Sequence, residues 1–127
     1  MMTSLNKVLY AEDEDDIREI ATLALETIGE LEIVTCASGS QVIELALDFK
    51  PQLILLDVMM PDMDGPTTLK ALKNHQQLKS TPVVFLTAKI LPIEIERFNS
   101  LGAVAVISKP FDPITLADQL KQIWAEQ

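Results

Sequence analysis

The 127-residue chain has one cysteine, one histidine, four glycines and an aromatic content of only 5%. Each scarcity excludes something. The lone Cys36 cannot close an internal disulfide, and its place in the apolar run EIVTC marks it as a small core residue rather than a reactive thiol. With so few glycines there is no Gly-rich phosphate loop, so nucleoside-triphosphate binding has no support. The lone His75, in LKNHQQLK, has nothing near it in sequence to make it a phosphodonor and reads as a solvated helix-end residue. Basic residues are also few: 10 Lys and Arg against 19 Asp and Glu leave a net charge of −9. That balance argues against a nucleic-acid footprint and against an anionic membrane surface. No apolar run approaches a membrane span, and the opening MMTSLNKVLYAEDEDD lacks the apolar core of a signal peptide. These features fit a cytoplasmic protein. Hydrophobic and charged fractions of 48% and 23% are ordinary globular values. With no linker, low-complexity segment or internal repeat, residues 1–127 read as one domain.

What the chain does have is alternation. Five short aliphatic runs recur: Lys7–Ala11, Glu32–Cys36, Leu53–Asp57, Val83–Thr87 and Val104–Ser108. They are rich in Val, Ile and Leu and too short for helices. Between them the period changes. Ile17, Ile20, Ala21, Ala24 and Ile28 share a helical face, as do Val42, Leu45, Ala46 and Phe49 after a Ser38 cap. Gly65-Pro66, Pro92 and Asp112-Pro113 each open a further helix with proline near its first position. Five strand–helix units predict an α/β fold, a parallel sheet covered by helices on both faces.

In such a sheet the functional crevice lies beyond the carboxyl ends of the strands, where strand order reverses. The third run, LILLDVMMPDMDG, ends on Asp57, a carboxylate costly to desolvate unless something pairs with it. The first run delivers Glu12 and Asp13 to the same end, the fourth Thr87, and the fifth Ser108-Lys109-Pro110. Three acids against one lysine leave two uncompensated negative charges. At ~4 Å, two like charges repel by about 4 kcal/mol for an effective dielectric near 20, so either a carboxylate protonates or a cation fills the gap. Few, hard oxygen ligands at a solvated mouth suit Mg²⁺. A calcium loop starting at Asp13 is excluded, because Arg18 falls where that loop needs glycine. A metal, a lysine and a hydroxyl around a carboxylate make a phosphoryl-transfer arrangement, with Asp57 as nucleophile and Thr87 and Lys109 serving the transferred group.

The acidic pair Glu12-Asp13, DVMMPDMDG with Asp57, LTAK with Thr87, and SKPF with Lys109 together resemble the receiver domains of two-component response regulators. The resemblance covers nearly the whole chain, from Lys7 to the last helix. It implies a flavodoxin-like, doubly wound (βα)5 fold of the chemotaxis type, with strand order 2-1-3-4-5. It also implies Mg²⁺ held by Asp13, Asp57 and the backbone carbonyl of Met59, with Glu12 acting through water, and a cis Lys109-Pro110 peptide. The phosphoryl group would come from a sensor histidine kinase or a histidine phosphotransfer protein. Met59 and Lys89 occupy positions that tune phosphate lifetime in the family.

Two departures stand out. Glu12 replaces the commoner aspartate, and Val106 stands where such domains usually carry Tyr or Phe, the aromatic half of their switch. Val104, Ala105, Ile90, Leu91, Ile93, Ile95 and Trp124 suggest an apolar face at the fourth helix, fifth strand and fifth helix. That face would dock a downstream protein or a second copy of the chain. Two rival readings are a degenerate receiver binding partners constitutively and a phosphatase with an aspartyl nucleophile. The intact Glu12, Asp13, Asp57, Thr87 and Lys109 oppose the first, while Val106 favours it. Phosphatases of the haloacid-dehalogenase type need an acid two residues after the nucleophile, where this chain has Met59, so no turnover of external substrates is expected.

Overall fold

The computed structural model describes residues 4–88 and 91–127; Lys89 and Ile90 lie outside the described residues. The elements are β1 (Lys7–Ala11), α1 (Asp15–Thr27), β2 (Glu32–Cys36), α2 (Val42–Phe49), β3 (Leu53–Asp57), α3 (Gly65–Lys73), β4 (Val83–Thr87), α4 (Pro92–Leu101), β5 (Ala105–Ser108) and α5 (Leu116–Ala125). All strand pairs are parallel and the order is β2-β1-β3-β4-β5. The order reverses beside β1, so β1 and β3 flank the crevice.

Side-chain alternation sorts each strand between two cores. Val8, Tyr10, Leu53, Leu55, Val84, Leu86 and Ile107 pack against Ala21 and Leu25 of α1 and Leu116, Ala117 and Leu120 of α5. Leu9, Ala11, Ile54, Leu56, Val83 and Phe85 pack against α2, α3 and Phe98 of α4. Phe85 and Phe98 meet edge to face at 4.9 Å. Every residue of β3 and β4 is buried, as their unbroken aliphatic runs require of strands covered on both faces.

The elements differ from the sequence reading in four places. In α1 the buried residues are Ala21, Ala24 and Leu25, while Ile20 and Ile28 are exposed. At 100° per residue Ile20 turns away from the stripe centred on Ala21, and Ile28 is the C-cap, past the last turn. Ser38 precedes a 3₁₀ turn at Gly39–Gln41 rather than α2, and its hydroxyl meets Ser40 and Gln41 instead of capping an amide. Asp112-Pro113 opens a turn: Asp112 Oδ1 accepts the Ile114 N–H, its carbonyl accepts the Leu116 N–H, and α5 starts only at Leu116. The fifth strand starts at Ala105, although the Val104 N–H still donates to Val83 O.

Gly65, at the start of α3, packs directly behind β3. A Cβ there would lie 2.9 Å from Val58 Cα and 3.0 Å from Asp57 O. Asp64 caps the helix by accepting the Thr67 N–H at 2.8 Å, with Pro66 in the first turn.

Candidate functional site

Alternation carries past the strand ends. Glu12 extends the Val8–Tyr10 parity, Asp57 that of Leu53 and Leu55, and Lys109 that of Ile107, so all three continue the α1/α5 side of the sheet. Glu12 is fully buried and Asp57 is 3% exposed. One carboxylate oxygen each from Glu12, Asp13 and Asp57 lie within 4.8 Å of one another. Asp13 is the most exposed of the three, at the mouth.

Lys109 holds the floor. Its ammonium lies 2.8 Å from Glu12 Oε1 and 3.2 Å from Asp57 Oδ1. The Lys109-Pro110 peptide is cis, and the Lys109 N–H donates to Thr87 O at 2.9 Å. The Met59 N–H donates to Asp57 Oδ1 at 3.2 Å, while the Met59 side chain is exposed. Thr87 is buried at the end of β4, in register with Ser108.

The charge balance is visible in the titration of these groups. Burial raises the Asp57 pKa from 3.8 to about 7, and the hydrogen bond and charge of Glu12 add to the rise against the pull of Lys109 and the Met59 amide. Burial acts to lower the Lys109 pKa, but its contacts with Glu12 and Asp57 outweigh that and raise it. Among the described residues, the Lys109 ammonium alone therefore does not neutralise the pocket. Hard carboxylate oxygens with unbalanced negative charge fit a small divalent cation.

The site residues expected from sequence thus fall at one end of the sheet, with Glu12, Asp13, Asp57 and Lys109 in one cluster. Asp15 and Asp16 are first-turn residues of α1, where the helix dipole favours them. Asp62 turns outward and accepts the Ser40 N–H at 3.3 Å. The His75 ring accepts the Gln77 N–H just beyond α3. Cys36 is buried, and burial raises its thiol pKa. Two contributors escaped the sequence reading. The Tyr10 hydroxyl donates to Glu12 Oε1 at 3.2 Å, and Arg18 donates to the Glu12 carbonyl at 2.8 Å. The signal for Tyr10 was its i, i+2 spacing from Glu12 on one strand.

The apolar face is less unified than its sequence suggests. Leu91 and Ile93 are exposed at the start of α4, but Val104, Ala105 and Trp124 pack onto the α1/α5 core. Trp124 borders a cavity of about 490 Å³ with Leu5, Gly29 and Lys121 rather than joining α4. Val106 is half-buried against the opposite core, where it opposes Phe85 in register.

A doubly wound sheet with this strand order and an acidic pocket bridged by a lysine defines a class of signalling module. The chain belongs to the response regulator receiver domain family, which matches residues 8–121. That family is the phosphoaccepting module of two-component signalling. The chain is 32% identical to response regulator Rre1 of Synechocystis sp. over 120 residues, covering 94% of this chain and 52% of that protein. It is 37% identical to the transcriptional regulatory protein SrrA of Staphylococcus aureus over 119 residues, 93% of this chain and 47% of that protein. The chain thus spans about half the length of these curated relatives. The chemotaxis response regulator CheY4 of Vibrio cholerae superposes with a TM-score of 0.87 at 31% identity, covering 94% of this chain and 99% of that one. No described helix is long and apolar enough to cross a membrane.

Proposed function

We propose that Asp57 is the phosphoacceptor of this receiver, taking a phosphoryl group from a histidine kinase or a histidine phosphotransfer protein in the cytoplasm. The observation that carries this reading is the convergence of Glu12, Asp13 and Asp57 on one point, with Lys109 bridging the two buried acids. An Asp57 carboxylate oxygen forms the new O–P bond as the donor's P–N bond breaks, and the electron pair of that bond stays on the imidazole nitrogen. Asp13, Asp57 and the Met59 carbonyl are the residues to hold Mg²⁺, with Glu12 acting through water. The metal, when bound, neutralises charge on the phosphoryl oxygens. Lys109 pairs with that charge from the protein side, and Thr87 donates its hydroxyl to a phosphoryl oxygen.

Phosphorylation then shifts a pre-existing equilibrium of the β4–α4 region, read by a protein target or a second copy at the face of α4, β5 and α5. The exposed Leu91 and Ile93 support that surface. With valine at position 106, the readout rests on Thr87 and its loop rather than on an aromatic swing. The intact pocket disfavours a degenerate, constitutive binder. An external-substrate phosphatase is disfavoured because the residue two past Asp57 presents an outward-facing methionine side chain, not an acid.

The test is intact-mass measurement after incubation with Mg²⁺ and acetyl phosphate. Wild type gains one phosphoryl group, while Asp57→Asn gains none. An unmodified wild type beside a competent control receiver overturns the reading.

A further inference from the structure

Tyr10 is a fully buried tyrosine whose hydroxyl sits in the α1/α5 core, beneath the pocket. A phenol taken out of water needs a partner, and among the described residues it donates to Glu12 Oε1 at 3.2 Å. Lys109 Nζ donates to the same oxygen at 2.8 Å. Among the described residues Oε1 thus carries two donors, while Oε2 accepts a long 3.4 Å contact from the Glu14 N–H. The carboxylate is pinned through Oε1, and Oε2 is the less firmly held of its two oxygens. This pinning depends on the glutamate, because an aspartate at position 12 would end one methylene nearer the backbone.

We propose that Tyr10 is a positioning residue for the metal site, acting through Glu12: its hydroxyl fixes the carboxylate so that Oε2 faces the cation, directly or through water. The inference rests on the function proposed above and adds a residue to it. Buried groups that orient an acidic ligand set the affinity of the metal it serves. The Tyr10–Glu12 pair also explains how a glutamate is accommodated here, since Oε1 of its longer side chain meets both the Tyr10 hydroxyl and the Lys109 ammonium.

The experiment is a double-mutant cycle on Mg²⁺ affinity, read by calorimetry for wild type, Tyr10→Phe, Glu12→Asp and the double variant. Phenylalanine keeps the ring and its packing and removes only the oxygen. Tyr10→Phe weakens Mg²⁺ binding about tenfold, while in the Glu12→Asp background the same change alters affinity by less than about twofold. As a signature that loosened packing alone would not produce, the Lys109 Nζ resonance shifts in Tyr10→Phe while amide resonances of α3 stay in place. Unchanged Mg²⁺ affinity in Tyr10→Phe, or equal weakening in both backgrounds, overturns the proposal. Wild type that binds Mg²⁺ yet takes no phosphoryl group sinks the proposed function, whereas wild type and Tyr10→Phe binding alike sinks only this inference.

Discussion

The ammonium of Lys109 and the carboxylate of Glu12 meet at 2.8 Å, with the glutamate fully out of solvent. This ion pair joins the end of β1 to the loop after β5, across the width of β3 and β4. It carries one positive charge into a site that holds three acids, so its removal tests the electrostatics directly.

Lys109→Gln removes the cation that, among the described residues, pairs with the buried Glu12 and Asp57. Breaking a buried pair by deleting one partner costs about 3 kcal/mol. Urea unfolding at pH 8 in a chelator measures that loss. The loss shrinks at pH 5, because Asp57 then takes up a proton and the repulsion fades. An equal loss at both pH values would show that lysine packing, not charge, is at stake.

The raised Asp57 pKa makes stability depend on pH with a definite sign. The pKa rises from 3.8 to about 7 on folding, so the native state favours the protonated acid. The stabilising contribution is full below the unfolded value and is lost as pH climbs through the folded one. Asp57→Asn, neutral throughout, therefore unfolds at higher urea than wild type at pH 8, by at most about 4 kcal/mol. The gap closes toward about pH 4. Mg²⁺ added at pH 8 narrows it as well, since a bound cation offsets the same repulsion.

Asp13 sits at the pocket mouth and is the least buried of the three acids. Asp13→Asn weakens Mg²⁺ binding by at least about tenfold, measured by calorimetry. Its urea midpoint without metal stays at or slightly above wild type, because one of the crowded negative charges is gone.

Gly65→Ala forces a methyl against Val58 Cα at 2.9 Å, Asp57 O at 3.0 Å and Phe85 Cε1 at 3.1 Å. Two of these neighbours are backbone atoms and cannot swing aside. The variant loses about 1–3 kcal/mol and is phosphorylated more slowly, because the strain falls on the residue carrying the acceptor. Denaturant unfolding and the rate of adduct formation check the two effects.

Much of this protein is legible in its sequence. Five aliphatic runs announced five strands, and the ridge of acids after the first and third runs announced the pocket. The less legible parts share a cause. The inward face of α1 reads in the sequence as Ile17, Ile20, Ala21, Ala24 and Ile28. Ala21 and Ala24 are buried beside Leu25, but Ile20 and Ile28 are exposed, because hydrophobicity does not say where a helix meets its sheet. Trp124 looked like part of an α4-side face, but α5 presents it to the α1 core. Pro113 looked like a helix start, while the Asp112 side chain captured the next free amide and held a turn.

Local pattern by itself determined the strands, the helical segments between them and the residue types delivered to the strand ends. It could do so because alternation, periodicity and proline act over a few neighbouring residues. Only the tertiary structure decided which of Glu12's oxygens Lys109 and Tyr10 share, and how far burial drives Asp57 toward protonation. Those depend on distances between strands far apart in sequence and on the exclusion of water from between them, which no local pattern encodes.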